Sequence, residues 1–277
     1  MGSYNAPLVP TSRKRPVTRT PWLRRVVLLL SLALPTGVAL AQEDAGSFVI
    51  EGDIIRPRED TPARGLAKAV SNTTRLWNYK DPANPKVVLV PYTFSSNLPT
   101  KAKTAINAAI ADYTRLTCVR FVPRVNQPNY VQFFDGGASQ CYSYIGMLND
   151  GMQKLSVGVG CDVKGVVLHD MNHTLGFSHE NNRPDRDRYV TIVVNKVPRD
   201  MLVSFAVESL MDTQGLPYDY GSIMHYPGVA FSTDGSRTII TKDPKAQSKI
   251  GQRAGLSKLD IQKINKLYKC ELPAPAP

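Results

Sequence analysis

Three features of the sequence predict an α+β domain in two lobes. A β-branched run lies at residues 87–90, an amphipathic helical pattern follows it directly, and the second half is irregular apart from two further helical stretches. Val87-Val88-Leu89-Val90 runs into Pro91-Tyr92-Thr93-Phe94 and reads as a strand. From Thr100, the residues Ile106, Ala109, Ile110, Tyr113 and Leu116 recur on one helical face, and Thr117 ends the pattern. Short strands are expected at Cys118–Val122, Tyr130–Phe134 and Leu155–Val159. Val163–Leu175 reads as a helix closed by Gly176, and Tyr189–Val194 as a strand. The sequence is then irregular until Ser257, which can cap a last helix through Tyr268 with Asp260 in the capping-box position. No internal repeat is visible. The Pro-Ala tail at 273–277 is expected to be disordered.

Composition narrows the class. A chain of 277 residues, 42% hydrophobic and 21% charged, can bury a sizeable core as a globular domain. The net charge of +11 does not indicate nucleic-acid binding. Much of it comes from Arg13, Lys14, Arg15, Arg19, Arg24 and Arg25, and the remainder is scattered among acids without a basic stripe. Arg24 and Arg25 precede the apolar stretch Val26–Leu40, which ends in Ala39-Leu40-Ala41. That is the layout of a cleaved signal peptide over residues 1–41. The stretch is interrupted by Pro35 and Gly37 and is shorter than the ~20 residues of a spanning helix, so no stable membrane association is expected. Export to an oxidising compartment makes Cys118, Cys141, Cys161 and Cys270 two disulfides, with every pairing left open by their spacing. Residues 42–68 are polar except for Phe48-Val49-Ile50 and Ile54-Ile55. They read as a pro-segment draped on a domain that occupies 69–272.

The chemistry concentrates in one place. Three of the four histidines, His169, His173 and His179, fall within eleven residues. Histidines four apart on a helix share a face and can reach one ion. Gly176 can adopt positive φ, end the helix and turn the chain so that His179 joins them. Three neutral imidazoles with an open fourth position make a catalytic rather than a structural zinc site.

His169-x-x-x-His173-x-x-Gly176-x-x-His179 resembles the metzincin zinc pattern, and its surroundings resemble the astacin family in particular. Glu180, Arg183-Pro184-Asp185-Arg186-Asp187 and Ser222-Ile223-Met224-His225-Tyr226 carry that resemblance, as does Cys118–Arg124; it extends from about Trp77 to Cys270. It implies a two-lobed zincin-like catalytic domain with the zinc helix at the cleft, one Zn2+ per chain, and protein or peptide substrates. Met224 would lie as an apolar floor beneath the imidazoles. Tyr226 would be a further zinc ligand at rest and a hydrogen-bond donor to the developing oxyanion in turnover. The implied disulfides are Cys118–Cys270 and Cys141–Cys161.

Phe48 and Glu51-Gly52-Asp53-Ile54 resemble the family's aspartate switch, so Asp53 would coordinate zinc in the zymogen. An activating protease would cut near Arg64 or Lys68, and the new amine would be buried near Glu180. One position departs from the family. Asp170 stands where the family has Glu as general base, one methylene shorter. The reading is therefore a secreted zinc-dependent metalloendopeptidase made as a zymogen, with Asp170 and Tyr226 as its catalytic residues. Its alternatives are a catalytically weak or inactive zinc-binding pseudoprotease and a metal-free basic binding module. Of two N-x-T sequons, Asn72 is open to glycosylation, whereas Asn172 on the zinc helix is expected to stay unmodified.

Overall fold

The structure is a computed structural model that describes residues 48–57 and 75–271. The expected signal peptide, much of the expected pro-segment with its cleavage region, Asn72 and the Pro-Ala tail lie outside the described residues. Strands β1 (Phe48–Glu51) and β2 (Ile54–Pro57) form an antiparallel hairpin whose turn holds Gly52 at φ +68°. They are followed by β3 (Tyr79–Asp81), β4 (Asn84–Phe94), β5 (Val119–Pro123), β6 (Tyr130–Phe134), β7 (Cys141–Tyr144) and β8 (Met152–Val157). The sheet runs β1-β2-β7-β8-β6-β4-β3, with β5 on the other edge of β4. Strands β4, β5, β6 and β8 pair in parallel and β7 runs antiparallel to β8. The hairpin joins through β2, parallel to β7, with Ile54 opposite Ser143 and Ile55 opposite Tyr144.

Helix α1 (Thr100–Leu116) crosses between β4 and β5 and buries Ile106, Ala109 and Tyr113 of the expected stripe together with Ala102 and Ala105, while Ile110 and Leu116 are half-buried. Helix α2 (Lys164–Thr174) is buried over most of its circumference, as an element lodged between two lobes must be. Its inner turns belong to the larger core through Val167, Leu168 and Met171, which pack with Trp77, Val90, Phe133 and Ile264. A second, smaller core of Val190, Val197, Phe205, Tyr218, Tyr226, Ile239 and Ile250 builds the C-terminal lobe. That lobe contains β9 (Val190–Ile192) and β10 (Ile239–Thr241), paired antiparallel. Helix α3 (Lys258–Leu267) opens on a complete capping box between Ser257 and Asp260.

The sequence reading differs from the structure at several elements. The strand expected at Leu155–Val159 runs from Met152 to Val157, because Gln153 faces inward and breaks the apolar alternation that marks a half-buried strand. Strand β7 escapes notice because it has no β-branched residue, and β10 because it is three residues long inside polar sequence. The disulfides are Cys118–Cys270 and Cys141–Cys161, the pairing the family resemblance implies. No helix among the described residues is long and apolar enough to cross a membrane.

Candidate metal centre

Helix α2 is fastened to the larger core through its main-chain carbonyls. Tyr113 Oη donates to Leu168 O at 3.2 Å, Trp77 Nε1 to Thr174 O at 2.9 Å and Tyr268 Oη to Leu175 O at 2.9 Å. Gly146 N–H donates to His173 O at 2.9 Å. The end carbonyls of His173 and Thr174, and that of the capping Leu175, are thereby satisfied inside the protein. Asn172, the sequon residue, is 1% exposed, with its Oδ1 accepting from Tyr113 Oη at 2.7 Å. Past the helix, Gly176 adopts φ +107° and reverses the chain toward His179.

His169, His173 and His179 are buried, and with Asp53 they bring four potential ligand atoms within 4.8 Å of one another. The His169 and His173 Nε2 atoms are 3.1 Å apart. The Asp53 carboxylate lies 2.8 Å from His169 Nε2, 3.0 Å from His179 Nε2 and 3.9 Å from His173 Nε2. The opposite ring nitrogens face carbonyls: His169 Nδ1 donates to Ile223 O and His173 Nδ1 to Phe177 O, each at 2.7 Å. With those protons spent outward, both Nε2 atoms present lone pairs to each other and to a carboxylate. Two imidazole lone pairs facing a buried carboxylate are satisfied by a cation, and nitrogen ligands with one carboxylate suit zinc.

The electrostatics agree. Burial favours the neutral imidazole and, against the pull of Asp53, lowers His169 to a pKa of about 4 and His179 to about 3. For Asp53, burial pushes the pKa up, but attraction to His179 and His169 and the hydrogen bonds to the rings of His169 and His173 outweigh it. Its carboxyl sits well below the usual range. Asp170 is 1% exposed, and neither carboxylate oxygen has a hydrogen-bond partner. Burial first, then repulsion from Asp53, raises its pKa well above the ordinary value, with Arg253 opposing.

The residues from the C-terminal lobe meet the same point. The Tyr226 ring lies 4.2 Å from that of His179, and its main-chain N–H donates to Asn181 Oδ1 at 3.0 Å. A Cβ added at Gly52 would stand 3.3 Å from Tyr226 Oη and 3.1 Å from Phe231, so the hairpin turn presses its bare backbone on this wall. Met224 is buried in the larger core, and its carbonyl accepts from Glu180 N–H at 3.0 Å. Glu180 faces away from the imidazoles and is held by Lys263 Nζ at 2.5 Å, Asp219 N–H at 2.8 Å and Arg183 Nη1 at 3.2 Å. Sequence reading named neither Lys263 nor Arg253. The latter binds the carbonyls of Ile223 at 2.9 Å and His225 at 3.3 Å. A lone Lys in an amphipathic helix and an Arg in an irregular loop carry no periodic signal.

A helix-borne histidine pair, a third histidine beyond a glycine turn and a methionine turn at Ser222–Tyr226, with Met224 buried, in a two-lobed α+β domain define a metzincin-type protein. The sequence profile of the astacin peptidase family matches residues 72–269, and the chain belongs to that family. It is 40% identical over 213 residues to zinc metalloproteinase nas-15 of Caenorhabditis elegans, spanning 76% of this chain and 35% of that protein. To meprin A subunit beta of Rattus norvegicus it is 36% identical over 230 residues, spanning 82% and 30%. The chain thus spans only about a third of the length of these curated relatives. Among solved structures it resembles high choriolytic enzyme 1, a hatching enzyme zinc-protease from Oryzias latipes. That match has a TM-score of 0.66 at 35% identity, over 72% of this chain and 97% of that one.

Proposed function

We propose that the chain is the precursor of a secreted zinc-dependent endopeptidase, with residues 1–41 as signal peptide, 42–68 as pro-segment and 69–272 as catalytic domain. The observation that carries it is the convergence of three imidazole Nε2 atoms on one point, with the His169 and His173 protons directed outward. His169, His173 and His179 would hold one zinc, with Tyr226 as a further ligand at rest and Met224 as the apolar floor. Zinc in such a site supplies Lewis acidity to the scissile carbonyl and makes water nucleophilic near neutral pH. Asp170 takes the proton from the attacking water as its oxygen bonds to the carbonyl carbon. The same carboxylic acid then returns that proton to the leaving amine nitrogen. Tyr226 Oη donates to the oxyanion that develops meanwhile.

In the precursor Asp53 fills the position that substrate and water need, and β2 covers the edge of β7. Cleavage by an activating protease would free both, and an extended peptide could then add to β7 as a strand. Glu180 lies beside a cavity of about 20 Å³, also lined by Asp260 and Lys263, which suits about one water. The new amine would approach a carboxylate that Lys263 and Arg183 already neutralise. Asp170 favours a second reading, a zinc-binding protein with weak or no turnover, because its side chain is one methylene short. Digestion of a peptide library by processed protein, with and without chelator, tests the function. Chelator-sensitive cleavage supports the peptidase, zinc uptake without cleavage supports the second reading, and failure to take up zinc overturns both.

A further inference from the structure

We infer that Asp260, on helix α3 and outside the metal centre, is a positioning residue that sets the ring of His169 through a single peptide plane. The inference rests on the zinc reading above. Asp260 is 2% exposed, and its carboxylate is fully used. Oδ2 accepts from Ile223 N–H at 2.8 Å and Ser257 N–H at 2.9 Å, and Oδ1 accepts from Ser222 Oγ–H at 2.6 Å. The Ser222 Oγ in turn accepts from Met224 N–H at 3.0 Å.

The Met224 N–H and the Ile223 C=O belong to one peptide unit, which is rigid and trans. Fixing the direction of its N–H therefore fixes the direction of its C=O. That carbonyl is the acceptor of the His169 Nδ1 proton at 2.7 Å, and Arg253 Nη1 also donates to it at 2.9 Å. A chain of bonds thus leads from the Asp260 carboxylate through Ser222 and the 223–224 peptide to the ring whose Nε2 faces the metal position. It fixes both the tautomer and the orientation of His169, the two properties through which an outer partner governs a metal ligand. The capping box of α3 would need only the bond to Ser257 N–H. The two further bonds of Asp260, to Ile223 N–H and Ser222 Oγ, serve the methionine turn.

The test uses the full chain loaded with zinc, or with cobalt(II) for its visible spectrum. Competition against a chelator measures metal affinity in the folded protein. Asp260→Asn should lose up to about 10-fold in affinity and shift the cobalt spectrum, the low end of the loss for a direct outer partner of a ligating histidine, because Asp260 acts through the Ile223 carbonyl that Arg253 also holds. Ser222→Ala breaks the relay at the hydroxyl while leaving the Ser257 and Ile223 bonds, and it should lose affinity in the same direction. It decides the question alone should Asp260→Asn not fold. Val119→Ala, remote in β5 and fully buried, should lower the melting temperature and leave affinity and spectrum unchanged. Wild-type affinity and an unshifted spectrum in folded Asp260→Asn, or in Ser222→Ala when that variant decides alone, overturn the inference by itself. A wild-type chain that takes up no zinc overturns the zinc reading and this inference with it.

Discussion

Replacing Asp170 by Glu should raise peptidase activity about 10²-fold. Helix α2 fixes the backbone at this position: Asp170 O accepts from Thr174 Oγ1 at 3.2 Å, and the turns on either side are tied to Tyr113 and Trp77. The side chain therefore determines how far the carboxylate reaches. One added methylene extends it by up to about 1.5 Å, the length of a carbon–carbon bond. A general base works within a window of about 2.6–3.2 Å from its proton donor, only about 0.6 Å wide. Aspartate and glutamate on the same rigid backbone cannot both fall well inside it, and a misplacement of ~1 Å costs about 10²-fold, or ~2.7 kcal/mol of barrier. The assay is kcat/KM on a quenched fluorescent peptide for processed parent, Asp170→Glu and Asp170→Ala. Asp170→Ala should fall below the parent by at most about 10²-fold, because a misplaced base has already forfeited about 10² of the 10²–10⁴ that a well-placed one supplies. No gain in Asp170→Glu would refute the reach argument, and a parent no faster than Asp170→Ala would mean that Asp170 does no chemistry.

Further outcomes follow from the same geometry. Asp53→Ala in the full chain should bind an active-site hydroxamate about 10²-fold more tightly, if the carboxylate occupies its position about 99% of the time; unchanged binding by calorimetry would contradict its role as a block. In the chelated chain, stability should fall as pH drops from about 6.5 toward 4. The folded His169, His179 and His225 titrate at about 4, 3 and 4, well below the unfolded imidazole, so the unfolded state binds more protons across that window. Buried His225 alone should contribute ~3 kcal/mol of this loss, while Asp53 stays ionised throughout it, and thermal melts against pH check both. Reducing Cys118–Cys270, which closes a separation of 152 residues, should cost more stability than reducing Cys141–Cys161, at 20 residues. Loop-closure entropy gives about 5 against about 3 kcal/mol, measurable by denaturant titration of Cys→Ser pairs.

The parts legible in the sequence are those with a local signature. The apolar stripe of α1, the Ser257–Asp260 capping box and the histidine spacing around Gly176 each depend on neighbours a few residues away. Those signals gave the two-lobed α+β class and the cluster of imidazoles. What stayed hidden depends on distant partners. Strand β7 is a strand because β8 and β2 flank it, not because Cys141–Tyr144 has strand composition. Lys263 meets Glu180 from a sequence distance of 83 residues, and Arg253 reaches Ile223 O from a distance of 30. Asp260 was visible as a cap, but its bonds to Ser222 and Ile223 appear only once α3 packs against the methionine turn.

The central claim is that three imidazoles share one zinc, which the precursor caps with its own aspartate. X-ray absorption at the zinc edge, on the full chain and on Asp53→Ala, tests it most directly. The expected spectrum has one zinc per chain, three nitrogen scatterers at about 2.0–2.1 Å and an oxygen contribution that changes when Asp53 is removed. A chain that holds no zinc when it is supplied in excess, or one whose zinc has sulfur or fewer imidazole neighbours, would contradict the account.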